Sequence, residues 1–373
     1  MVRTQKCLLR TLCTLLTVLF STSIHANESA KPLIDTPILS GGVLTNGYVH
    51  ARAISDVLNT LPNFAVSIDP VADSGPRTQM LLSGAREFCI CDMESYFAQE
   101  GLFDFARPDR GPSGLRLIMS AYSDFKLGLA IAKDSNAKSL TDLRGKRIPW
   151  IRGANQLNAT MTAFLRFAGL NWEEVQKLTY PGYDEAMIGF ARKQIDAIVI
   201  SANLPKFTNL EKGRRPFFLA DFNSSQKIAW RRMKSFAPYL QPVSSGNWMG
   251  VTHPYPLLLT TSSQKDETVY HLTKTISENL ETITEILPNA EGWHTSWQNF
   301  KWVIPFHSGA VQYFQEIGIW SDQAQAHQDA LIRRQNILIK AFADFKSKNP
   351  DPKTFQVEWQ KFRELQLNSL AER

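Results

Sequence analysis

One local pattern recurs along the first part of this chain and limits what it can fold into: a short apolar run, a polar loop, then a helix with one apolar face. Pro37–Leu39 runs into Ser40-Gly41-Gly42 and a helix over about Gly47 to Leu61, with Val49, Ala53, Ile54, Val57 and Leu58 on one face. Phe64–Pro70 runs into Asp73-Ser74-Gly75-Pro76, with turn and cap residues, and a short helix over Thr78 to Gly84. Phe88–Cys91 then meets Asp92 and Ser95 before another helix. Strands alternating with helices specify an α/β sheet with crossover helices, because the apolar helix faces find burial only against the sheet.

The pattern breaks at Leu115 to Lys133, a long extended stretch, and restarts at Ser139-Leu140-Thr141-Asp142 with a fresh α/β unit: a strand over Arg147–Ile151, a loop over Arg152–Gln156, and a helix to Gly169. A second extended run, His253–Thr261, precedes an amphipathic helix over Asp266–Leu287. Two extended crossings make a hinge between two lobes. The expected division is a leader at 1–26, lobe 1 from 27–124 and 254–321, lobe 2 from 125–253, and a charged helical C-terminal extension at 322–373. That extension either embraces lobe 1 or serves a partner.

The first residues have the three-part pattern of a secretory signal peptide: positive charge at Arg3, Lys6 and Arg10, an apolar run from about Leu8 to Ile24, and small Ala26 at the cleavage position. Cleavage there places the mature chain in the periplasm. It also removes Cys7 and Cys13, leaving Cys89 and Cys91, for which buried thiols are expected because residues two apart in an extended strand strain a bridge. The net charge of +6 comes from scattered basic residues, no nucleic-acid signature, and Lys212 with Arg214 and Arg215, and Arg231 with Arg232, read as solvated faces.

Ligands of open α/β sheets sit beyond the carboxyl ends of strands, where helix amino termini offer free N–H groups. The loops in question are Gly42–Tyr48, Asp73–Arg77, Asp92–Ser95, Arg152–Asn158 and Ala202–Asn203. Arg77 and Arg152 stand out, since an arginine near a helix amino terminus opposes the dipole unless an anion, such as a ligand carboxylate or an internal acid, compensates it. Asn46, Gln156, Asn158 and Asn203 complete the polar set. No zinc-protease, nucleophile-elbow, Walker or dinucleotide motif is present, and Gly41–Gly47 does not match G-x-G-x-x-G, so neither an enzyme nor a cofactor is expected. His50, His253 and His307 read as structural.

Four segments in order, Leu39–Val49 (LSGGVLTNGYV), Ser139–Ile148 (SLTDLRGKRI), Asn158–Thr162 (NATMT) and Pro305–Ile319 (PFHSGAVQYFQEIGI), resemble the substrate-binding subunits of TAXI-type TRAP transporters. The resemblance runs from about Pro37 to Gln335 and is most specific in the last segment. It implies a type II periplasmic-binding-protein fold that closes like a Venus flytrap on a small organic acid (an amino acid, oxo-acid or dicarboxylate) and docks on integral TRAP permease subunits. It also implies cleft-lining roles for Gly42, Tyr48, Ser74, Gly75, Asp92 and Thr160. Two departures add side chains to a pocket that usually relies on backbone donors: Ala154-Asn155-Gln156-Leu157-Asn158 in place of a glycine- and serine-rich turn, and Pro76-Arg77 in place of a small polar residue. The same fold also suits a periplasmic ligand sensor reporting to a membrane signalling partner.

Overall fold

The computed structural model describes residues 34–43, 45–122, 125–201, 210, 212–213, 215–246 and 248–371. The leader expected at 1–26, Ser123, Asp124, Ala202, Asn203 and Arg214 lie outside the described residues.

The first sheet is built from β1 (Ile34–Ser40), β2 (Phe64–Pro70), β3 (Phe88–Cys91) and β4 (Leu115–Ser120), with α1 (Asn46–Leu58), α2 (Ser74–Leu82) and α3 (Glu94–Glu100) in the connections. The chain then forms β5 (Leu127–Ala132), β6 (Arg147–Ile151), α4 (Asn155–Ala168), β7 (Gln176–Tyr180), α5 (Tyr183–Ala191), β8 (Ala197–Ser201), β9 (Phe217–Leu219), α6 (Lys227–Phe236), β10 (Gln241–Ser245) and β11 (Trp248–Thr252). It returns to the first sheet as β12 (Leu257–Thr261), followed by α7 (Asp266–Glu278), α8 (Leu280–Ile286) and α9 (Ser308–Glu316). A helical hairpin, α10 (Asp322–Lys346) and α11 (Phe355–Ala371), ends the chain.

Strand order in the first sheet is β2-β1-β3-β12-β4, with β1, β2 and β3 parallel and β12 antiparallel to both its neighbours. The second sheet runs β10-β11-β5-β8, with β9 on β5. The parallel pair β6-β7 continues it, since Asp196 N–H donates to Arg147 O at 2.9 Å and the Asp196 carboxylate binds the Arg147 guanidinium. The chain passes between the sheets after β4 and after β11, so each sheet with its helices is one lobe. This is the two-lobed type II periplasmic-binding-protein fold, carrying a helical C-terminal extension. Strands β3, β4, β5 and β8 are buried almost throughout, as apolar runs covered on both faces should be.

Local expectations fail in three places. The helix expected over Asp266–Leu287 is broken at Asn279, whose amide donates to Thr275 O at 2.8 Å and whose backbone ends one helix and opens the next. Cys89 and Cys91 are joined in a disulfide, not kept as thiols; their Cα atoms are 5.4 Å apart, closer than two residues of a fully extended strand and inside the bridging range. Arg215 is not on a solvated face: it is 5% exposed, pairs with Asp134 at 2.6 Å and donates to Ile195 O. Arg231 and Arg232 are exposed, yet Arg232 also works structurally, donating to Arg166 O and Phe167 O at the end of α4.

The extension embraces lobe 1. Phe342, Phe345, Phe355 and Trp359 form a small core of their own with Ala106, and the Trp359 indole donates to Gly101 O at 2.7 Å. Gly111 sits so close that a Cβ there would lie 2.4 Å from the Phe342 ring. Arg334 and Arg363 both bind Glu100, which ends α3 and is 1% exposed. Burial pushes the Glu100 carboxyl up, but the two guanidiniums outweigh it and hold it below the usual carboxylate range.

Candidate functional site

The ends of β1, β2, β3, β6 and β8 carry the loops expected to meet a ligand, and the lobes touch at these ends. Asn155, first residue of α4 in lobe 2, donates through its side-chain amide to Glu94 at 2.9 Å and Asp104 at 3.1 Å, both of lobe 1. Glu94 opens α3 and is 2% exposed. Burial pushes its carboxyl up to about 7, with the charges of Asp92 and Asp104 adding to the rise while the Asn155 hydrogen bond and the Arg77 charge oppose it. A carboxyl this deep, with an amide and no cation as its direct partner, sits between its protonated and ionised forms near neutral pH.

Aromatic rings line the same junction. Tyr239 of lobe 2 meets Tyr96 of α3 edge-on at 5.2 Å, and also contacts His253 in the return crossing. Phe125, just past the outward crossing, packs against His253 and Tyr255. The Thr252 hydroxyl donates to Phe125 O, tying the two crossings to each other. On the lobe 1 side the Tyr255 hydroxyl accepts from Gly47 N–H at 3.2 Å.

The expected site residues divide into three groups. Arg77 is spent internally: it is 3% exposed and donates to Val71 O at 2.6 Å, Ala72 O at 3.3 Å and the Asp92 carboxylate at 2.6 Å. The compensating anion at this helix amino terminus is therefore Asp92, whose other oxygen accepts from Glu94 N–H. Asn158 is likewise structural, since its amide closes both hydrogen bonds with Ile151 N–H and O, and the buried Thr160 hydroxyl donates back to Gln156 O. The second group is reachable: Gly42, Tyr48, Ser74, Gly75 and Gln156 are half-buried, while Asn46 and Arg152 are exposed. A Cβ on Gly75 would meet nothing within 4 Å, so the α2 amino terminus faces open space. Asn203 forms the third group, outside the described residues.

Sequence reading missed Glu94, Asp104 and Asn155 as individual site residues. Glu94 and Asn155 fall within loops it singled out, but no spacing rule pairs two residues 61 apart. Ser201, at the end of β8, has a buried hydroxyl without a hydrogen-bond partner among the described residues and was also missed. The histidines are structural: His50 accepts from the Trp293 indole at 3.1 Å and burial lowers it to about 4, while His307 caps α9 by accepting from Gly309 N–H. Among the described residues no group of His, Cys, Asp and Glu could hold a metal ion, and no helix is long and apolar enough to cross a membrane.

Fold and junction together define a two-lobed architecture of the type II periplasmic-binding-protein fold. A family model described as NMT1/THI5 like matches residues 63–227, and a second, of the NMT1-like family, matches residues 252–318. None of the curated proteins matches the chain. Among solved structures, the chain is similar to the periplasmic aliphatic sulphonate binding protein SsuA of Escherichia coli, at 15% identity over 91% of this chain and 94% of that one, TM-score 0.45. It is also similar to a putative periplasmic sulfonate-binding protein SsuA of Methylobacillus flagellatus KT, at 13% identity over 81% and 94%, TM-score 0.43. At these identities the likeness does not extend to the ligand. Neither family description names the TAXI proteins.

Proposed function

We propose that this protein is an exported receptor that traps a small solute between lobe 1 (27–124 and 254–321) and lobe 2 (125–253) and presents the closed form to a membrane permease. The observation that carries this reading is the Asn155 amide reaching across the junction to Glu94 and Asp104 at the carboxyl ends of the strands. A ligand that replaces Asn155 at these carboxyls makes contacts in the closed state that the open state lacks, and that difference drives closure. The role asks for no catalytic residue.

Within the organic acids that the TAXI resemblance suggests, the junction favours those that also carry an amino group. Glu94 and Asp104 offer acceptors for an ammonium, Arg77 is neutralised by Asp92, and exposed Arg152 is left to receive the carboxylate. A plain dicarboxylate would meet Glu94 and Asp104 with like charge. The permease of the resemblance is the TRAP type; the NMT1/THI5-like match and the SsuA likenesses favour an ABC-type permease equally well, and either would dock on the lobe faces.

Calorimetric titration with amino acids, oxo-acids and dicarboxylates tests the reading. It predicts saturable binding of an amino acid, weakened at least about tenfold by Glu94→Ala. Binding of a dicarboxylate with no loss in Glu94→Ala would refute the amino-acid assignment, and no binding by any member would refute the receptor reading for this class.

A further inference from the structure

A cavity of about 840 Å3 lies between the C-terminal hairpin and both lobes. That volume is typical of a small-molecule site. Its wall is drawn from lobe 1, from lobe 2 and from both helices of the hairpin. Nothing in the receptor reading uses it.

The charges in its wall do not balance. Glu100 is consumed by Arg334 and Arg363, which leaves Glu364 as the remaining acid. Against it stand Arg166, Lys234 and Lys301, none of which has a carboxylate partner among the described residues. The ordinary explanation for Arg166 would be service to the carboxyl end of α4, where a cation is favoured. Arg232 already fills that role through Arg166 O and Phe167 O, so the Arg166 guanidinium is free to face the cavity. Leu102, Val303, Phe236, Leu331 and Leu367 supply apolar wall between the cations.

We propose that this cavity is a second ligand site, distinct from the cleft, for an amphipathic organic anion: an apolar body bearing one or more oxyanion groups. Arg166 and Lys234 belong to lobe 2 and Lys301 to lobe 1, so an occupant ties the lobes together from outside the cleft. It also touches Tyr96, whose ring meets Tyr239 and through it His253 in the return crossing. The C-terminal extension thus completes a site as well as bracing lobe 1.

The test is a fluorescence titration of the mature protein with the naphthalene sulfonate dye ANS, displaced with citrate and with inorganic phosphate. The comparison is with a double variant, Arg166→Gln with Lys301→Gln, and with Arg152→Gln as a cleft control. Arg166, Lys301 and Arg152 are all exposed, and unchanged melting curves check that the variants fold. The proposal predicts one saturable dye site, displaced by citrate or phosphate, weakened about tenfold or more in the double variant and unaffected in Arg152→Gln. Citrate displacement without phosphate displacement assigns the site to carboxylates, and the reverse assigns it to phosphates. Absence of saturable binding, equal affinity in the double variant, or no displacement by either anion overturns it. Because the readout does not involve the cleft ligand, failure here leaves the receptor reading untouched, and the converse holds.

Discussion

The two ends of α3 carry buried glutamates that the fold treats in opposite ways. Glu94, at the amino end, is 2% exposed and meets an amide from the other lobe; Glu100, at the carboxyl end, is 1% exposed and meets two guanidiniums from the extension. Burial is equal, so the partners decide. Glu94 is pushed up to about 7, whereas Glu100 is held below the usual range. One end is finished as structure, and the other is left with electrostatic demand that a ligand can meet.

The contrast is broken most directly at Glu100. Glu100→Gln leaves the half-buried guanidiniums of Arg334 and Arg363 against a neutral amide, and because both can partly rehydrate the cost in urea unfolding should fall at the lower end of the about 3–5 kcal/mol of a fully buried pair. Glu94→Gln at neutral pH should leave stability unchanged or raise it. Equal losses in the two variants would erase the distinction between the ends.

Next in size are the pH dependences, which should have opposite signs. Glu94 has a folded-state value above its unfolded one, so the folded protein binds more protons between about 4.5 and about 7, and its contribution falls as pH rises through that window. The span is at most roughly 3 kcal/mol and should vanish in Glu94→Gln. Glu100 is depressed, so its contribution is present above about 4.5 and is lost as pH falls below it. Thermal melts of both variants across pH 4 to 8 separate the two slopes.

A smaller effect is expected from Trp359→Phe, which keeps the ring but orphans Gly101 O, for about 1–2 kcal/mol and faster amide exchange in α11. The smallest stability change belongs to Asn155→Ala, well under about 1 kcal/mol if its carboxyl partners rehydrate as the lobes part. Its signature is shape: small-angle scattering should give a larger radius of gyration than wild type in the absence of ligand. An unchanged radius would show that the Asn155 bridge does not hold the lobes.

Much of the fold was legible because periodicity and turn chemistry report local structure. The runs at Phe64–Pro70 and Phe88–Cys91 appear as strands with the same bounds, and the polar loops open helices as read. The site was only partly legible. Arg77 looked like a ligand group because a lone cation near a helix amino terminus needs an anion, and nothing in the sequence shows that Asp92, 15 residues away, supplies it. Asn155 and Glu94 are paired by tertiary packing, which leaves no periodic trace. The segment Pro305–Ile319, the most specific part of the family resemblance, serves packing: His307 caps α9, and a Cβ on Gly309 would lie 2.2 Å from Asp266 O. The cysteine pair misled for a geometric reason, because β3 is drawn in enough to bring the two Cα atoms within bridging distance.

The most direct test of the central claim is a thermal-shift screen of the mature protein against the amino acids, run beside Glu94→Ala. The account predicts that at least one amino acid, at a hundred or more times its dissociation constant, raises the melting temperature by several degrees, and that Glu94→Ala loses most of this rise. A panel that leaves the wild type unmoved, or a shift that survives intact in Glu94→Ala, would contradict it.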